Sequence, residues 1–447
     1  MKKRNSPKSN LFHRRLNYQY PLITRGKGIY LYDKTGKRYI DGTGGALVAN
    51  LGHGVKEIAQ AAQKLAARFS YLHGSQFSTE DLELYAKELC AVAPKGLDRV
   101  FFISGGSEAV ESAIKLAKQY HYDSGDKKRY KIISRYPAYH GATILTVSIS
   151  TKPSMREPQG PLIFKMPVVP APFCYRCPFG KSYPECGLAC AWALEETIKK
   201  EGPETISTFI AEPVIGASAG AVVPPKEYFP IIRKICDKYG VILILDEVMA
   251  GFGRTGKWFA SQHFNVLPDI TVVGKGIGGG LVPLAAVFCR EKILKAIQNG
   301  SGNFIHGFTF ENNPFTAGIG RETLKYMKKH NLVQASSEKG KYLLKKLETL
   351  KKLEIVGDAR GIGLMTAIEL VQDKTTKKPF PRNKQMAEIV LQTAMKKGLN
   401  LYFAIGFTKE GEGDAVMIAP PFIVTKKEID EIVEILKDSI LEVQKSI

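Results

Sequence analysis

Short apolar runs alternate with helical patterns through the middle of the chain, from about residue 99 to 290. The runs are RVFFI (99–103), KIIS (131–134), STFIA (207–211), VILIL (241–245), ITVV (270–273) and LAAVFC (284–289). Between runs, apolar residues recur at the spacing of one helix face, as at Val110, Ile114 and Ala117. This alternation predicts an α/β domain around a mainly parallel sheet.

The two ends of the chain have patterns of their own. Residues 27–41 predict two short strands around a turn, and the part after about residue 331 predicts three helices and a strand of a second, smaller α/β domain. We therefore divide the chain into three parts. These are an N-terminal arm with part of the small domain (1–60), a large domain (61–330) and a C-terminal small domain (331–447).

The charge changes this picture little. Lys and Arg number 64 against 43 Asp and Glu, so the net charge is +21, but no five or six basic residues stand together. A solvated, lysine-rich surface explains this pattern better than a nucleic-acid site. No apolar run is long enough to span a membrane, and no apolar segment follows the basic N-terminus. We expect a cytoplasmic protein that binds neither nucleic acid nor membranes.

The seven cysteines are an odd number, which argues against a disulfide framework. Cys174, Cys177, Cys186 and Cys190 have the spacing C-x2-C-x8-C-x3-C, which could bind zinc. Four reduced thiols in a surface insertion are the interpretation we favour, so we predict no metal site.

Polar residues follow four of the predicted strands, at the edge where an α/β sheet binds its ligands. After the glycines of SGGSEAVE (104–111), Ser107 opens a helix whose N-terminus suits a phosphate, and Asp246 follows a fully apolar run. Lys275 stands among glycines, where Schiff-base chemistry is favoured, and Tyr139 could stack on a planar ring. Each group also has a simpler interpretation. Ser107 would be an ordinary helix cap, Asp246 a metal ligand, Lys275 a phosphate-binding residue and Tyr139 a core aromatic. Together the four groups complement pyridoxal phosphate (PLP).

A nucleotide-binding loop is a remote alternative. Asp246-Glu247 after an apolar strand is also typical of an ATPase, and GFGRTGKW (251–258) approximates the phosphate-binding pattern G-x-x-x-x-G-K-[ST]. However, Trp258 stands where that pattern needs Ser or Thr, and no strand immediately precedes the glycines.

Three segments resemble the class III PLP-dependent aminotransferases of fold type I: LILDEVMAGFGRTG (243–256), PDITVVGKGIGGG (268–280) and HGFTFENNPFTA (306–317). Weaker similarities are NLGH (50–53), AEPVIG (211–216), DARGIGLM (358–365) and IAPPF (418–422). The resemblance implies a large domain with a mainly parallel sheet, a small domain built from both chain ends, and a homodimer with shared active sites.

The resemblance also implies roles for individual residues. Lys275 would form the Schiff base with PLP and carry the proton, while Asp246 would keep the pyridine nitrogen protonated. The other cofactor-binding residues would be Gly106, Ser107, Tyr139, Glu212, Val248 and, from the neighbouring subunit, Thr309. His140 is expected to have a structural role.

Departures from the family pattern concern the substrate. Family members that use 2-oxoglutarate often carry an arginine and a glutamate where this sequence has Met417 and Ala217, so we expect pyruvate as the amino acceptor. Residues 401–425 resemble the branch that acts on amines and omega-amino acids, which predicts such a donor. The expected substrate residues are Leu47, Tyr71, Phe308 and Arg360, and Arg360 has a structural role as its alternative.

Other reactions use the same fold and Schiff base. A racemase, an aminomutase or a phospho-lyase would share the early steps, and motifs separate these enzymes poorly from aminotransferases.

Overall fold

A computed structural model describes residues 9–446 of the chain, and it has three sheets. The strands are β1 (Ile23–Lys27), β2 (Tyr30–Asp33), β3 (Arg38–Asp41), β4 (Arg99–Ile103), β5 (Lys131–Tyr136), β6 (Val168–Pro170), β7 (Ile206–Ala211), β8 (Ile242–Asp246), β9 (Ile270–Val273), β10 (Ala285–Cys289), β11 (Val356–Ile362), β12 (Met365–Leu370), β13 (Leu399–Asn400), β14 (Tyr402–Ile405) and β15 (Asp414–Ile418).

The α-helices are α1 (Gly44–Leu47), α2 (Lys56–Ala66), α3 (Glu80–Cys90), α4 (Gly106–Asp123), α5 (Ile144–Ile149), α6 (Pro153–Arg156), α7 (Ala189–Glu201), α8 (Tyr228–Tyr239), α9 (Glu291–Asn299), α10 (Pro314–Lys329), α11 (Leu332–Thr349), α12 (Met386–Lys396) and α13 (Lys426–Gln444). No helix within residues 9–446 has both the length and the apolar character needed to cross a membrane.

The central sheet has seven strands in the order β4-β10-β9-β8-β7-β5-β6. Neighbouring strands from β9 to β6 are parallel, whereas β10 runs antiparallel to both β4 and β9. The predicted α/β fold with a mainly parallel sheet is therefore confirmed. Because β4 lies antiparallel to β10, the carboxyl ends of β4, β5, β7, β8 and β9 all meet at one edge.

Every residue of β7, β8, β9 and β10 is buried, which explains why these strands are continuous apolar runs. Helix α4 buries the face that carries Val110, Ala113 and Ala117, as its periodicity predicts. Asp246, at the carboxyl end of β8, is the only charged residue in these four strands.

The two chain ends join in the smaller part of the molecule. Strand β13 pairs in parallel with β3, with Leu399 opposite Ile40, and completes a sheet of four strands in the order β1-β2-β3-β13. A third, antiparallel sheet has the order β11-β12-β15-β14. The small domain thus contains both chain ends, as expected, and the boundaries 1–60, 61–330 and 331–447 stay a prediction.

Candidate active site

The N-terminus of α4 presents free backbone donors at the sheet edge. Its N-cap is Gly105, which has no side chain to cap the helix, and within residues 9–446 the N–H groups of Gly106 and Ser107 donate to no acceptor. The Ser107 hydroxyl accepts a hydrogen bond from the backbone N–H of Ala142 at 3.0 Å. Free N–H groups and the helix dipole favour an anion such as a phosphate here.

Asp246 lies at the end of β8, and it is buried with its carboxylate fixed on both oxygens. Oδ1 accepts the backbone N–H of Val248 at 3.1 Å, and Oδ2 lies 2.8 Å from Nδ1 of His140. The other ring nitrogen of His140, Nε2, is buried and has no partner within the described residues. His140 thus supports the site carboxylate directly, and its position in Tyr-His-Gly was the only sequence signal for this contact.

Lys275 follows β9 with a φ of 50°, in the left-handed region that a lysine rarely adopts. Its Nζ donates a hydrogen bond to the backbone oxygen of Ala46 at 2.9 Å. Burial lowers the pKa of the Lys275 ammonium to about 8, although the carboxylates of Asp246 and Glu212 act in the opposite direction. A fraction of the Lys275 amine is therefore neutral, and so nucleophilic, near neutral pH.

Glu212, one residue beyond β7, connects two backbone segments of the site. Its carboxylate accepts the N–H of Tyr139 at 3.1 Å and the N–H of Gly216 at 2.8 Å. Burial raises the pKa of Glu212, and burial also raises the pKa of the Tyr139 hydroxyl. Glu212 therefore fixes the backbone that carries Tyr139.

These groups enclose one cavity of ≈ 190 Å³. It is lined by Gly106, Ser107, Tyr139, His140, Gly141, Glu212, Asp246, Val248, Met249 and Lys275. The cavity offers phosphate donors, an aromatic ring, a buried carboxylate and a lysine amine with a lowered pKa. PLP carries a phosphate, a flat ring, a ring nitrogen and an aldehyde, so the residues present fit this cofactor.

A hydrophobic cluster adjoins the cavity through Met249, which lines it. Leu47, Ala217, Met249 and Met417 are all buried in one hydrophobic cluster, against which Tyr139 and Tyr402 pack. We call Leu47, Ala217, Met249 and Met417 the apolar wall. None of them carries a charge, so the apolar wall cannot pair with a second substrate carboxylate.

Five of the residues expected in the site lie outside the cavity lining: Leu47, Tyr71, Phe308, Thr309 and Arg360. Thr309 and Tyr71 are exposed, and the Tyr71 ring contacts Phe310 edge-on at 6.0 Å between ring centroids. Phe308 is partly buried, and its N–H donates to the Glu311 carboxylate at 3.0 Å. Their roles toward cofactor or substrate stay predictions.

Arg360, in β11, is occupied by its own chain. It donates to the carboxylates of Asp358 and Glu369 at 2.9 and 2.7 Å, and to the carbonyl oxygens of Ala219 and Gly220 at 2.6 and 2.7 Å. A substrate carboxylate would have to displace these partners, so the contacts favour the structural alternative for Arg360.

The cysteine cluster remains in the thiol form. Cys174, Cys177, Cys186 and Cys190 are free, and burial raises the pKa of Cys174 and raises that of Cys190 to about 11. Over residues 9–446, no three His, Cys, Asp or Glu side chains are arranged to hold a metal ion. The zinc alternative gains no support from this arrangement.

Comparisons with known proteins agree with this geometry. The family model "Aminotransferase class-III" matches residues 13–440. The chain is 37% identical to the uncharacterized aminotransferase YodT of Bacillus subtilis (strain 168), over 98% of this chain and 99% of that protein. It is 32% identical to the putrescine–pyruvate aminotransferase of Pseudomonas aeruginosa, over 93% of this chain and 89% of that protein.

Solved structures give the same result. A thermostable (S)-enantioselective omega-transaminase from Thermomicrobium roseum superimposes with a TM-score of 0.91 at 34% identity, covering 97% of this chain and 96% of that chain. A PLP-bound amine transaminase from an uncultivated Pseudomonas species has a TM-score of 0.91 at 30% identity, covering 98% and 99%.

Proposed function

The chain belongs to the class III aminotransferases, which are PLP-dependent enzymes, and from this premise we propose that it transfers the amino group of a primary amine or omega-amino acid to pyruvate. The observation that carries the choice of substrates is the apolar wall beside the Lys275 cavity. The family supplies the reaction class, with an amine donor and a 2-oxo acid acceptor.

Different residues of the cavity would bind the phosphate, the ring and the aldehyde of PLP. The free N–H donors of Gly106 and Ser107 would bind the phosphate, and Tyr139 and Val248 would pack against the two ring faces. The Asp246 carboxylate would hold the ring nitrogen in its protonated form, and Lys275 would attach covalently through Nζ. Bound PLP supplies an electron sink that stabilises negative charge on the substrate carbon.

Lys275 would then serve as the proton carrier. Its amine has a pKa lowered to about 8, so near neutral pH it can both accept and release a proton at Nζ. Asp246 keeps its position because His140 and the Val248 N–H hold both carboxylate oxygens. Glu212 orients the backbone of Tyr139 and thereby the ring that faces the cavity.

Two observations support the choice of substrates. Met417 and Ala217 stand where an arginine and a glutamate would handle a second carboxylate, and both are buried among apolar side chains. The similar Pseudomonas aeruginosa enzyme is named for putrescine and pyruvate, and two similar structures are an omega-transaminase and an amine transaminase. A small acceptor with one carboxylate, such as pyruvate, fits an uncharged wall.

A homodimer in the cytoplasm completes the proposal. Thr309 is exposed in the single chain and would reach the phosphate in a neighbouring subunit. Sedimentation of the cofactor-loaded protein would give the mass of a dimer, or of a larger assembly of dimers. A monomer at working concentration that is fully active would contradict the shared site.

The substrates are tested by supplying PLP-loaded protein with putrescine or β-alanine and with either pyruvate or 2-oxoglutarate, and by measuring alanine and glutamate. We expect alanine to form at least about tenfold faster than glutamate, because the apolar wall cannot neutralise a second carboxylate. Lys275→Ala, assayed in parallel, sets the background rate. Equal or faster formation of glutamate would overturn the choice of pyruvate. The racemase and phospho-lyase alternatives need a separate assay, with a chiral amino acid or a phosphorylated amine as the only substrate. Product with inverted configuration or released phosphate there, without alanine or glutamate in the first assay, would overturn transamination.

A further inference from the structure

The segment GFGRTGKW (251–258), which approximates a nucleotide-binding loop in the sequence, buries an arginine. The Arg254 side chain is fully buried, and its Nη1 donates to the backbone oxygens of Leu364, Ala419 and Pro420 at 3.0, 3.0 and 2.8 Å. Its Nη2 donates to Oδ1 of Asn50. We call these four acceptor oxygens the Arg254 cage.

The Arg254 cage joins segments that are distant in the sequence. Its acceptors come from NLGH (50–53), DARGIGLM (358–365) and IAPPF (418–422), three weak similarities that have no role in the proposed chemistry. The backbone oxygen of Arg254 in turn accepts the N–H of Leu364 at 3.0 Å. The Phe422 ring lies 4.6 Å from the guanidinium carbon. One side chain therefore ties the large domain to both chain ends.

Asn50, which accepts a hydrogen bond from Arg254, also packs against the turn that contains Lys275. A Cβ at Gly276 would lie 1.9 Å from Nδ2 of Asn50, so Asn50 packs directly on the residue after Lys275. The backbone oxygen of Asn50 accepts the N–H of Phe422 at 2.8 Å, which fixes Asn50 from the opposite side. Four residues before Asn50, Ala46 accepts the hydrogen bond from Lys275 Nζ.

The buried charge of Arg254 is not paired with an acidic side chain of the described residues. Within the described residues Arg254 forms no ion pair, and the nearby acid Asp41 is bound by His53 at 3.0 Å and by the Gly45 N–H at 2.9 Å. Burial lowers the pKa of Arg254 to about 9, which still leaves the guanidinium charged at neutral pH. Arg254 is also one of the groups that lower the pKa of Lys275.

We propose that Arg254 and Asn50 are positioning residues for Lys275. The Arg254 cage fixes Asn50 against Gly276, and the guanidinium keeps a positive charge near the Lys275 amine. This favours the neutral, nucleophilic form of the amine while holding its turn in the left-handed conformation. The inference rests on the role that the proposed function gives to Lys275.

The test measures the reactivity of the Lys275 amine itself, in the full-length chain from which any bound PLP has been removed and without substrates. The protein is labelled briefly with acetic anhydride between pH 6 and 10, and the modified Lys275 peptide is quantified by mass spectrometry. The wild-type midpoint is expected at about pH 8. Circular dichroism checks that each variant is folded.

Three variants separate charge from shape. Arg254→Met removes the charge, and Asn50→Asp neutralises it with a side chain of the same size that still accepts from Nη2. Both should move the midpoint upward, and because Arg254 acts on Lys275 more weakly than burial, Asp246 and Glu212 do, the shift should stay below about one pH unit. Arg254→Lys keeps the charge and should stay closer to the wild-type midpoint than Arg254→Met. Arg233→Met is the matched control, because Asp237 and Asp269 already pair with that arginine.

The outcomes are distinct. An upward shift in Arg254→Met supports the proposal. If that variant does not fold, Arg254→Gln, which also removes the charge but can still donate to the cage, takes its place. An unchanged midpoint in folded Asn50→Asp overturns it, as does an equal shift in Arg233→Met. Since the labelling uses no amine donor and no 2-oxo acid, a shift in midpoint without any transamination by the wild type would refute the proposed function and leave this inference standing.

Discussion

The two sides of the Lys275 cavity are built in opposite ways. On the cofactor side, Asp246, Glu212 and Lys275 are charged or titratable, and each has a fixed partner in His140, the Tyr139 N–H or the Ala46 oxygen. The apolar wall of Leu47, Ala217, Met249 and Met417, which adjoins the cavity through Met249 and which we assign to the substrate side, carries no charge.

This difference separates two functions. A buried charge is costly unless it is paired and hydrogen-bonded, so charged groups persist where the chemistry needs them and where the chain supplies partners. The substrate side has no such partners, and there a cation for a second carboxylate would be destabilising. The chemistry is thus set by the paired groups, and the choice of substrate by the absence of charge in the apolar wall.

The largest expected loss of activity follows from removing Lys275. Lys275→Ala should lower the rate of alanine formation by about ten-thousandfold, because both covalent attachment and the proton carrier are lost. The measurement is the initial rate with amine and pyruvate, with circular dichroism as the control for folding. A variant within tenfold of the wild-type rate would contradict the mechanism.

Neutralising the carboxylate should be the next largest effect. Asp246→Asn keeps the shape and the contact with His140 but loses the charge, so we expect roughly a hundredfold lower rate with part of the cofactor still bound. Rate and bound PLP are measured on the same sample. Complete loss of PLP binding would assign Asp246 a role in affinity instead, and an unchanged rate would remove it from the mechanism.

The cofactor side was largely predictable from the sequence. Ser107, Tyr139, Asp246 and Lys275 follow apolar runs, and the resemblance to the family added Glu212 and Val248. Seven predicted residues line the cavity together: Gly106, Ser107, Tyr139, Glu212, Asp246, Val248 and Lys275. The same runs predicted six of the seven strands of the central sheet to within two residues, whereas the short strand β6 was missed. Strand direction is not encoded in a buried apolar run, so the antiparallel β10 could not be foreseen.

Contacts made by backbone or by distant segments were not predictable. The Arg254 cage consists mostly of carbonyl oxygens, which any residue type supplies. The pairing of Arg360 with Glu369 depends on the register of β11 and β12, which its residue type does not reveal. The sequence pattern alone could therefore not decide whether Arg360 faces a substrate.

Adding a charge to the apolar wall sharpens the comparison. Met417→Arg should destabilise the fold by about 3–5 kcal/mol, the cost of an unpaired buried charge, and Ala217→Glu in the same chain should recover part of it. The free energy of unfolding in urea is measured for the single and the double variant. In the double variant the ratio of glutamate to alanine formed should rise about tenfold, since a guanidinium can now hold a second carboxylate. An unchanged ratio in the folded double variant would show that the wall does not select the acceptor.

The smallest expected effect is that of pH on cofactor attachment. Because burial lowers the pKa of Lys275 to about 8, its neutral fraction grows as pH rises to that value and then levels off. The rate of PLP attachment should rise about fivefold from pH 7 to 8 and less than about twofold from pH 8 to 9. Stopped-flow absorbance measures it. A rate that rises tenfold per unit up to pH 10 would indicate an ordinary lysine.

The most direct measurement is the absorbance spectrum of the PLP-loaded protein, before and after a primary amine is added and again after pyruvate is added. The account predicts a band from the bound cofactor that fades with the amine and returns with pyruvate, and that does not cycle in Lys275→Ala. A band that putrescine and β-alanine both leave unchanged, or that fades and does not return with pyruvate, would contradict transamination to pyruvate at Lys275.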